Sequence, residues 1–279
     1  MKTPVVIDAC SLINLLRIDE EDDFLYKHLR TLNIHISDTV YNEFIANVFK
    51  NNIEETDRDR INALIPNLQS DFSLHYDEEI ENDIGHGFKE TVLSYTEHKK
   101  RLNGEMSSTL LSLLLSRCEE SRISFVTDDY PAKEQFNCFF SVQQIGEIQD
   151  SVDLLINLHW FFSKEEFPLN KLKNKLIDLR AEYCKNIKVF LNEVSNLKQG
   201  LRKTDREWKL LEDVEHSYYN SSGNWGDFLS AINAIRESNC KKIRHLRESL
   251  PITNEIPEMV KKVNFVLGEI SKIEIFKLV

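Results

Sequence analysis

Over the first 150 residues, short apolar runs alternate with stretches whose apolar positions recur every three or four residues. Val5-Val6-Ile7 is an unbroken apolar run that stops on Asp8. Such a run predicts a strand buried on both faces, as in a parallel sheet. Ser11–Arg17 then opens a helix on Leu12, Ile13, Leu15 and Leu16. Asn33–Ser37 alternates polar and apolar and predicts a second strand. Thr39–Phe49 is helical in pattern, with Val40, Phe44, Ile45 and Val48 on one face. Residues 51–101 are polar and mostly helical, with a break expected at Pro66. Ser107–Arg117 predicts a strongly apolar helix. Ile123-Ser124-Phe125-Val126 predicts a third strand, ending at Thr127-Asp128-Asp129, and Cys138–Val142 a short fourth. Strands alternating with helices predict an α/β layer built on a mainly parallel sheet.

The pattern changes in the second half. From Asn170 the apolar series Leu172, Leu176, Leu179, Tyr183, Ile187, Phe190, Val194, Leu197, Leu201 is a near-heptad. It predicts one helix of roughly forty residues with a single stripe to bury. A polar break is expected over His216–Gly226, then a helix from Asp227 to Leu250 on Phe228, Ile232, Ile235, Ile243 and Leu246. Pro251 and Pro257 punctuate the next link. A last helix carries Met259, Val263, Val266, Leu267 and Ile270. The expected organisation is an α/β domain over residues 1–150 and an all-α hairpin or bundle over residues 151–279.

Charge follows the same division. The chain of 279 residues carries a net charge of −11. Residues 1–150 hold 14 Lys and Arg against 28 Asp and Glu, and the remainder holds 21 against 18. Two regions of opposite balance suggest two different jobs. No apolar run approaches the length of a membrane span, and the start lacks the features of a signal peptide. The five scattered cysteines, without Cys-x-x-Cys spacing, read as reduced core thiols of a cytoplasmic protein.

The chemistry concentrates in the acids. Ligands of open parallel sheets bind beyond the carboxyl ends of the strands. Asp8 and the pair Asp128-Asp129 follow strands there. Neighbouring carboxylates repel one another unless a cation sits among them, and hard oxygen donors select Mg²⁺ or Mn²⁺. Glu43 is the one acid among the apolar residues of a helix opened by the capping sequence Ser37-Asp38-Thr39. Glu105 stands in Asn103-Gly104-Glu105-Met106, just ahead of the apolar helix. The plain alternatives are a helix cap for Asp8, an exposed helix acid for Glu43, a dipole-favoured first-turn acid for Glu105 and a turn for Asp128-Asp129.

Taken in order, these stretches resemble the PIN-domain nucleases, closest to their toxin-like bacterial branch. The resemblance lies in Val6-Ile7-Asp8-Ala9-Cys10-Ser11-Leu12-Ile13-Asn14-Leu15, Val40-Tyr41-Asn42-Glu43-Phe44, Gly104-Glu105-Met106-Ser107-Ser108-Thr109-Leu110-Leu111 and Val126-Thr127-Asp128-Asp129-Tyr130-Pro131-Ala132-Lys133. It covers residues 4–150, about half of the chain. It departs from the pattern in the polar Ser107-Ser108-Thr109 of the third motif and in the acidic Asp77–Asp83 segment. The resemblance implies a PIN-like parallel sheet and a divalent-metal-dependent endonuclease acting on RNA, in a toxin or phage-defence setting with a protein inhibitor or regulatory partner. Asp8, Glu43, Glu105 and Asp129 would be its metal-binding acids, with Asp128 competing for the fourth place. Ser11 and Thr127 would orient them through their hydroxyls.

Lys133, Lys241, Lys242 and Arg244 are the basic residues offered to nucleic acid, against the reading of a solvated helix face. The near-heptad stripe offers a homodimer seam, against the reading of internal packing. Two other classes compete with a nuclease. One is a catalytically silent PIN-like domain whose C-terminal helices form a scaffold. The other, a small-molecule phosphohydrolase of the haloacid-dehalogenase type, wants an Asp-x-Asp that Asp8-Ala9-Cys10 lacks.

Overall fold

The computed structural model describes residues 3–20, 22–50, 55–84, 86–94, 103–220, 226–237, 243, 246 and 255–276. The chain divides into two compact units, Met1–Leu179 and Arg180–Val279. This division falls later than the expected 150/151 boundary, because two further helices belong with the sheet.

The first unit is built on five parallel strands: β1 (Pro4–Ile7), β2 (Asn33–Ser37), β3 (Ser73–His75), β4 (Ile123–Val126) and β5 (Gly146–Gln149), in the order β3-β2-β1-β4-β5. Val5 pairs with Ile34 on one side and Ser124 on the other. The apolar run of β1 is therefore central, and Val6 and Ile7 are fully buried. From β1 the chain builds outward to β2 and β3, then crosses back to β4 on the opposite side of β1. That reversal leaves a crevice at the carboxyl ends of β1 and β4, where doubly wound sheets take their ligands.

The helices start where the sequence supplies caps. Asp8 caps α1 (Ala9–Arg17), and Ser37 caps α3 (Asp38–Asn47). Asn103 caps α7 (Gly104–Cys118), and Asp129 caps α8 (Tyr130–Gln143). Asp150 caps α9 (Ser151–Phe161) through a reciprocal capping box with Asp153. Between them lie α2 (Phe24–Leu29), α4 (Glu55–Asp71), α5 (Asp77–Ile84) and α6 (His86–Ser94). The core centres on α7, whose Met106, Leu110 and Leu111 pack with Val6, Phe125, Phe136, Phe139 and Phe140. The polar residues of that helix are buried too. Thr109 Oγ1 donates to the Glu105 carbonyl and Ser112 Oγ to the Ser108 carbonyl, so these two hydroxyls keep partners in the core, while the buried Ser108 hydroxyl makes no hydrogen bond.

Three sequence expectations are corrected here. Cys138–Val142 is the end of α8, not a strand: Phe136, Phe139 and Phe140 are buried at helical spacing, and the edge strand is Gly146–Gln149. Pro66 does not break α4, because Ile61, Leu64 and Leu68 bury one face on both sides of it. Cys10, Cys118 and Cys138 are exposed free thiols rather than core residues.

The first unit includes most of α10 (Leu169–Tyr183). Lys175 on this helix is fully buried; its Nζ donates to the Ile18 carbonyl at the end of α1 (2.7 Å) and pairs with Glu20 (3.1 Å). Lys171 also bonds Glu20. A buried ammonium is tolerated here because its donors are met.

Among its described residues the second unit holds no strand and carries the helices α11 (Lys185–Gln199), α12 (Arg206–Asn220), α13 (Gly226–Glu237) and α14 (Glu255–Phe276). The single long helix of the near-heptad is two helices, parted at Cys184. The polar break is shorter than expected, since α12 reaches Asn220. Packing joins α11 to α12 and α12 to α13, with Phe190, Val194, Leu211, Val214, Phe228 and Ile232 buried. Among the described residues no helix is long and apolar enough to cross a membrane.

Candidate active site

Asp8 is the residue at the carboxyl end of β1, 3% exposed. Its Oδ1 accepts from the Ser11 amide (2.8 Å) and its Oδ2 from Thr127 Oγ1 (2.5 Å), just past β4. Thr127 Oγ1 also accepts from the Asp129 amide (3.1 Å). One hydroxyl thus ties the ends of the two central strands together. Burial pushes the Asp8 carboxyl up to about 7, against the hydrogen bonds from Thr127 and Ser11. The Asp128 charge adds to the rise.

Glu105 enters from the first turn of α7. Burial pushes it up to about 8, and the neighbouring Asp129 carboxyl and the charge of Asp8 push in the same direction. Asn103 Nδ2 holds the other side of this carboxyl at 2.8 Å. Glu43, on α3, accepts from the Gly104 amide at 3.1 Å. A Cβ at Gly104 would collide with Glu43 Oε2, which explains why glycine precedes Glu105: the side chain of one acid lies against the backbone that carries the next.

The aspartate pair separates in space. Asp129 faces Glu105, and its Oδ1 caps α8 through the Ala132 amide (3.1 Å). Asp128 turns the other way. It accepts from Asn14 Nδ2 (2.7 Å), the Ser151 amide (2.8 Å) and Ser151 Oγ (2.7 Å), and so bolts α1 and α9 to the end of β4. Its three donors offset part of its burial, which still raises its proton affinity. Asp8, Glu105 and Asp129 share the crevice; Glu43 lies against Gly104, and Asp128 belongs to the frame.

Ser11 Oγ is fully buried next to Asp8 and makes no hydrogen bond of ordinary geometry, although its hydroxyl slightly favours the charged carboxylate. An orphaned hydroxyl beside crowded carboxylates fits a site for a bound group. The donor set, all hard oxygens, fits Mg²⁺ or Mn²⁺. Yet among the described residues no three Asp, Glu, His or Cys side chains stand close enough to hold one ion. Asp8 and Asp129 are near enough to raise the proton affinity of Glu105, but the acids are not gathered into a coordination shell.

Lys133 is committed elsewhere: its Nζ bonds Asp150 Oδ2 at 3.0 Å and approaches Asp153 at 3.8 Å. It braces the start of α9. Lys241, Lys242 and Arg244 lie outside the described residues. Asn14, Asn103 and Ser151 escaped the sequence reading. Asn14 and Asn103 sit inside the motifs that carry Asp8 and Glu105, so position was their signal; nothing in the sequence tied Ser151 to Asp128. None of the family models, curated proteins and solved structures compared with the chain matches it.

Proposed function

We propose that the first unit is a PIN-like domain acting as a divalent-metal-dependent endonuclease, with RNA as its substrate. The observation that supports this best is the meeting of Asp8, Glu105 and Asp129 at the crevice between β1 and β4, where burial raises the proton affinity of Asp8 and Glu105 and the charges of Asp129 and Asp8 add to the rise at Glu105. Capping accounts for Asp8 and Asp129 at the starts of α1 and α8, but it does not account for Glu105, whose carboxyl is buried beside them at an energetic cost.

Mg²⁺ or Mn²⁺, held by Asp8, Glu105, Asp129 and Glu43, would supply charge stabilisation on the phosphoryl oxygens and a more acidic water. The chain's own part is positioning. Ser11 and Thr127 fix both oxygens of Asp8, Asn103 aims Glu105, Gly104 seats Glu43, and Asp128 holds the frame. The toxin or phage-defence setting and its inhibitor partner rest on the sequence resemblance.

A catalytically silent scaffold is the second reading, favoured by the lack of three converged ligands among the described residues. Incubating labelled single-stranded RNA, structured RNA and DNA with the protein, in Mg²⁺, Mn²⁺ or EDTA, separates the two. A nuclease cleaves RNA only with metal and loses that activity in Asp8→Asn and Asp129→Asn. A folded protein that cleaves nothing sinks the nuclease reading.

A further inference from the structure

The acidic segment Asp77–Asp83 departs from the resembled pattern, and its first acid stands apart from the others. Glu78, Glu79 and Asp83 are exposed along α5, while Asp77 is half-buried at its start. Each oxygen of Asp77 takes a hydroxyl from a different helix. Ser107 Oγ of α7 donates to Oδ1, and Thr39 Oγ1 of α3 donates to Oδ2. The backbone is held as well. The Asp77 amide donates to Asp38 Oδ1 at 2.9 Å, and the same oxygen accepts from the Thr39 amide at 3.0 Å.

These two helices carry two of the candidate metal acids, Glu43 on α3 and Glu105 on α7. Residues three and four apart on a helix are neighbours on one face. Thr39 and Glu43 therefore share a face of α3, and Gly104 and Ser107 share a face of α7. Two rungs join the helices. One is direct, from the Gly104 amide to Glu43 Oε1 at 3.1 Å. The other runs from Thr39 through Asp77 to Ser107. Burial raises the proton affinity of Asp77, and Asp38 beside it pushes the same way, against the two hydroxyls. The helix dipole accounts for an acid in the first turn of α5. It does not account for both oxygens being spent on α3 and α7.

We propose that Asp77 is a positioning residue: it clamps α3 to α7 and so holds Glu43 and Glu105 at the spacing that metal-dependent cleavage needs. This rests on the nuclease reading given above. Groups that orient ligating carboxylates matter to a metal site nearly as much as the ligands themselves. Asp77 acts through the two helices, one turn away from the acids it serves. The segment that departs from the resembled pattern thereby supplies part of the frame of the site.

The test uses the full chain. Thr39→Val and Ser107→Ala each cut one arm of the clamp; their double variant, Asp77→Ala and Asp77→Asn complete the set, and urea unfolding confirms which are folded. Two readouts are followed: the Gly104 amide proton by NMR in metal-free protein, and steady-state cleavage of labelled single-stranded RNA in Mn²⁺. The Gly104 signal should move upfield equally in both single variants and no further in the double, because the arms of one bridge are not additive. In the same variants kcat should fall about tenfold with KM unchanged, the loss expected when a ligand is misplaced. Asp77→Ala should match the double variant. Asp77→Asn, whose amide can accept from one hydroxyl and donate to the other, should recover most of the loss. An unmoved Gly104 signal, arm losses that add, a rise in KM alone, or cleavage unchanged in the folded variants would overturn the clamp and leave the nuclease reading standing. Wild type that cleaves nothing while Gly104 responds as stated would overturn the nuclease reading and support the clamp.

Discussion

Replacing Asp8 by Asn should stabilise the protein at about pH 8 in EDTA. Asn keeps the shape of the side chain and an acceptor for the Ser11 amide, and removes the charge. An ordinary carboxyl here titrates near 3.8; in the fold it is pushed up to about 7. The folded chain therefore holds the proton roughly three powers of ten more tightly than the unfolded chain. At about 1.4 kcal/mol per power of ten, ionised Asp8 costs the fold about 4 kcal/mol. The sign follows from the rise: the proton-linked stability is complete below pH 3.8 and is lost as pH climbs through 7. The Thr127 hydroxyl loses a charged acceptor in the variant, which subtracts about 1–2 kcal/mol. Urea unfolding followed by circular dichroism should therefore show Asp8→Asn more stable than wild type by about 2–3 kcal/mol near pH 8. Near pH 4 the difference should vanish or reverse. Excess Mn²⁺ should stabilise wild type and leave the variant where it was. A variant less stable than wild type near pH 8 would refute the reasoning, because Asp8 would then be earning its place as a buried cap alone.

Other residues separate in the same way. Asp128→Ala should cost about 2–4 kcal/mol of stability by leaving Asn14 and Ser151 without their acceptor, measurable by the same urea titration. Gly104→Ala should change stability by less than about 1 kcal/mol, because Glu43 is flexible enough to move aside, yet it should reduce RNA cleavage by tenfold or more (on the order expected for a misplaced ligand). His35, buried against His75 at 2.9 Å, is pushed down to about 4 by burial and by the charge of His75. Its contribution is complete above about pH 6.5 and is lost as pH falls toward 4, by up to about 3 kcal/mol; His35→Asn should flatten that part of the pH–stability curve.

The central strands were legible because their sequence has one meaning. Val5-Val6-Ile7 and Ile123–Val126 are too apolar to face water and too short for helices, and the acids that follow them stand at the carboxyl edge of the sheet. Ser73–His75 carried no such signal, since a three-residue edge strand buries little. Phe139-Phe140 misled for the opposite reason: an apolar run inside a buried helix looks like a strand when read without its neighbours. The near-heptad from Leu172 to Leu201 described a true stripe but not its interruption, because Cys184 carries no helix-breaking residue to announce it. Within the site, the acids could be listed from the sequence while their roles could not. Asp128 and Asp129 are adjacent in sequence, and only the direction of each side chain separates frame from crevice.

The most direct measurement is a calorimetric titration of Mn²⁺ into the metal-free protein near pH 8, beside Asp8→Asn, Asp129→Asn and a folded Asp128→Asn. Wild type should bind Mn²⁺ and release protons, chiefly from Glu105, which is pushed up to about 8, Asp8→Asn and Asp129→Asn should lose that binding, and Asp128→Asn should retain it. Wild-type protein that folds and takes up no Mn²⁺, or binding that survives in Asp8→Asn, would contradict a metal centre at the ends of β1 and β4.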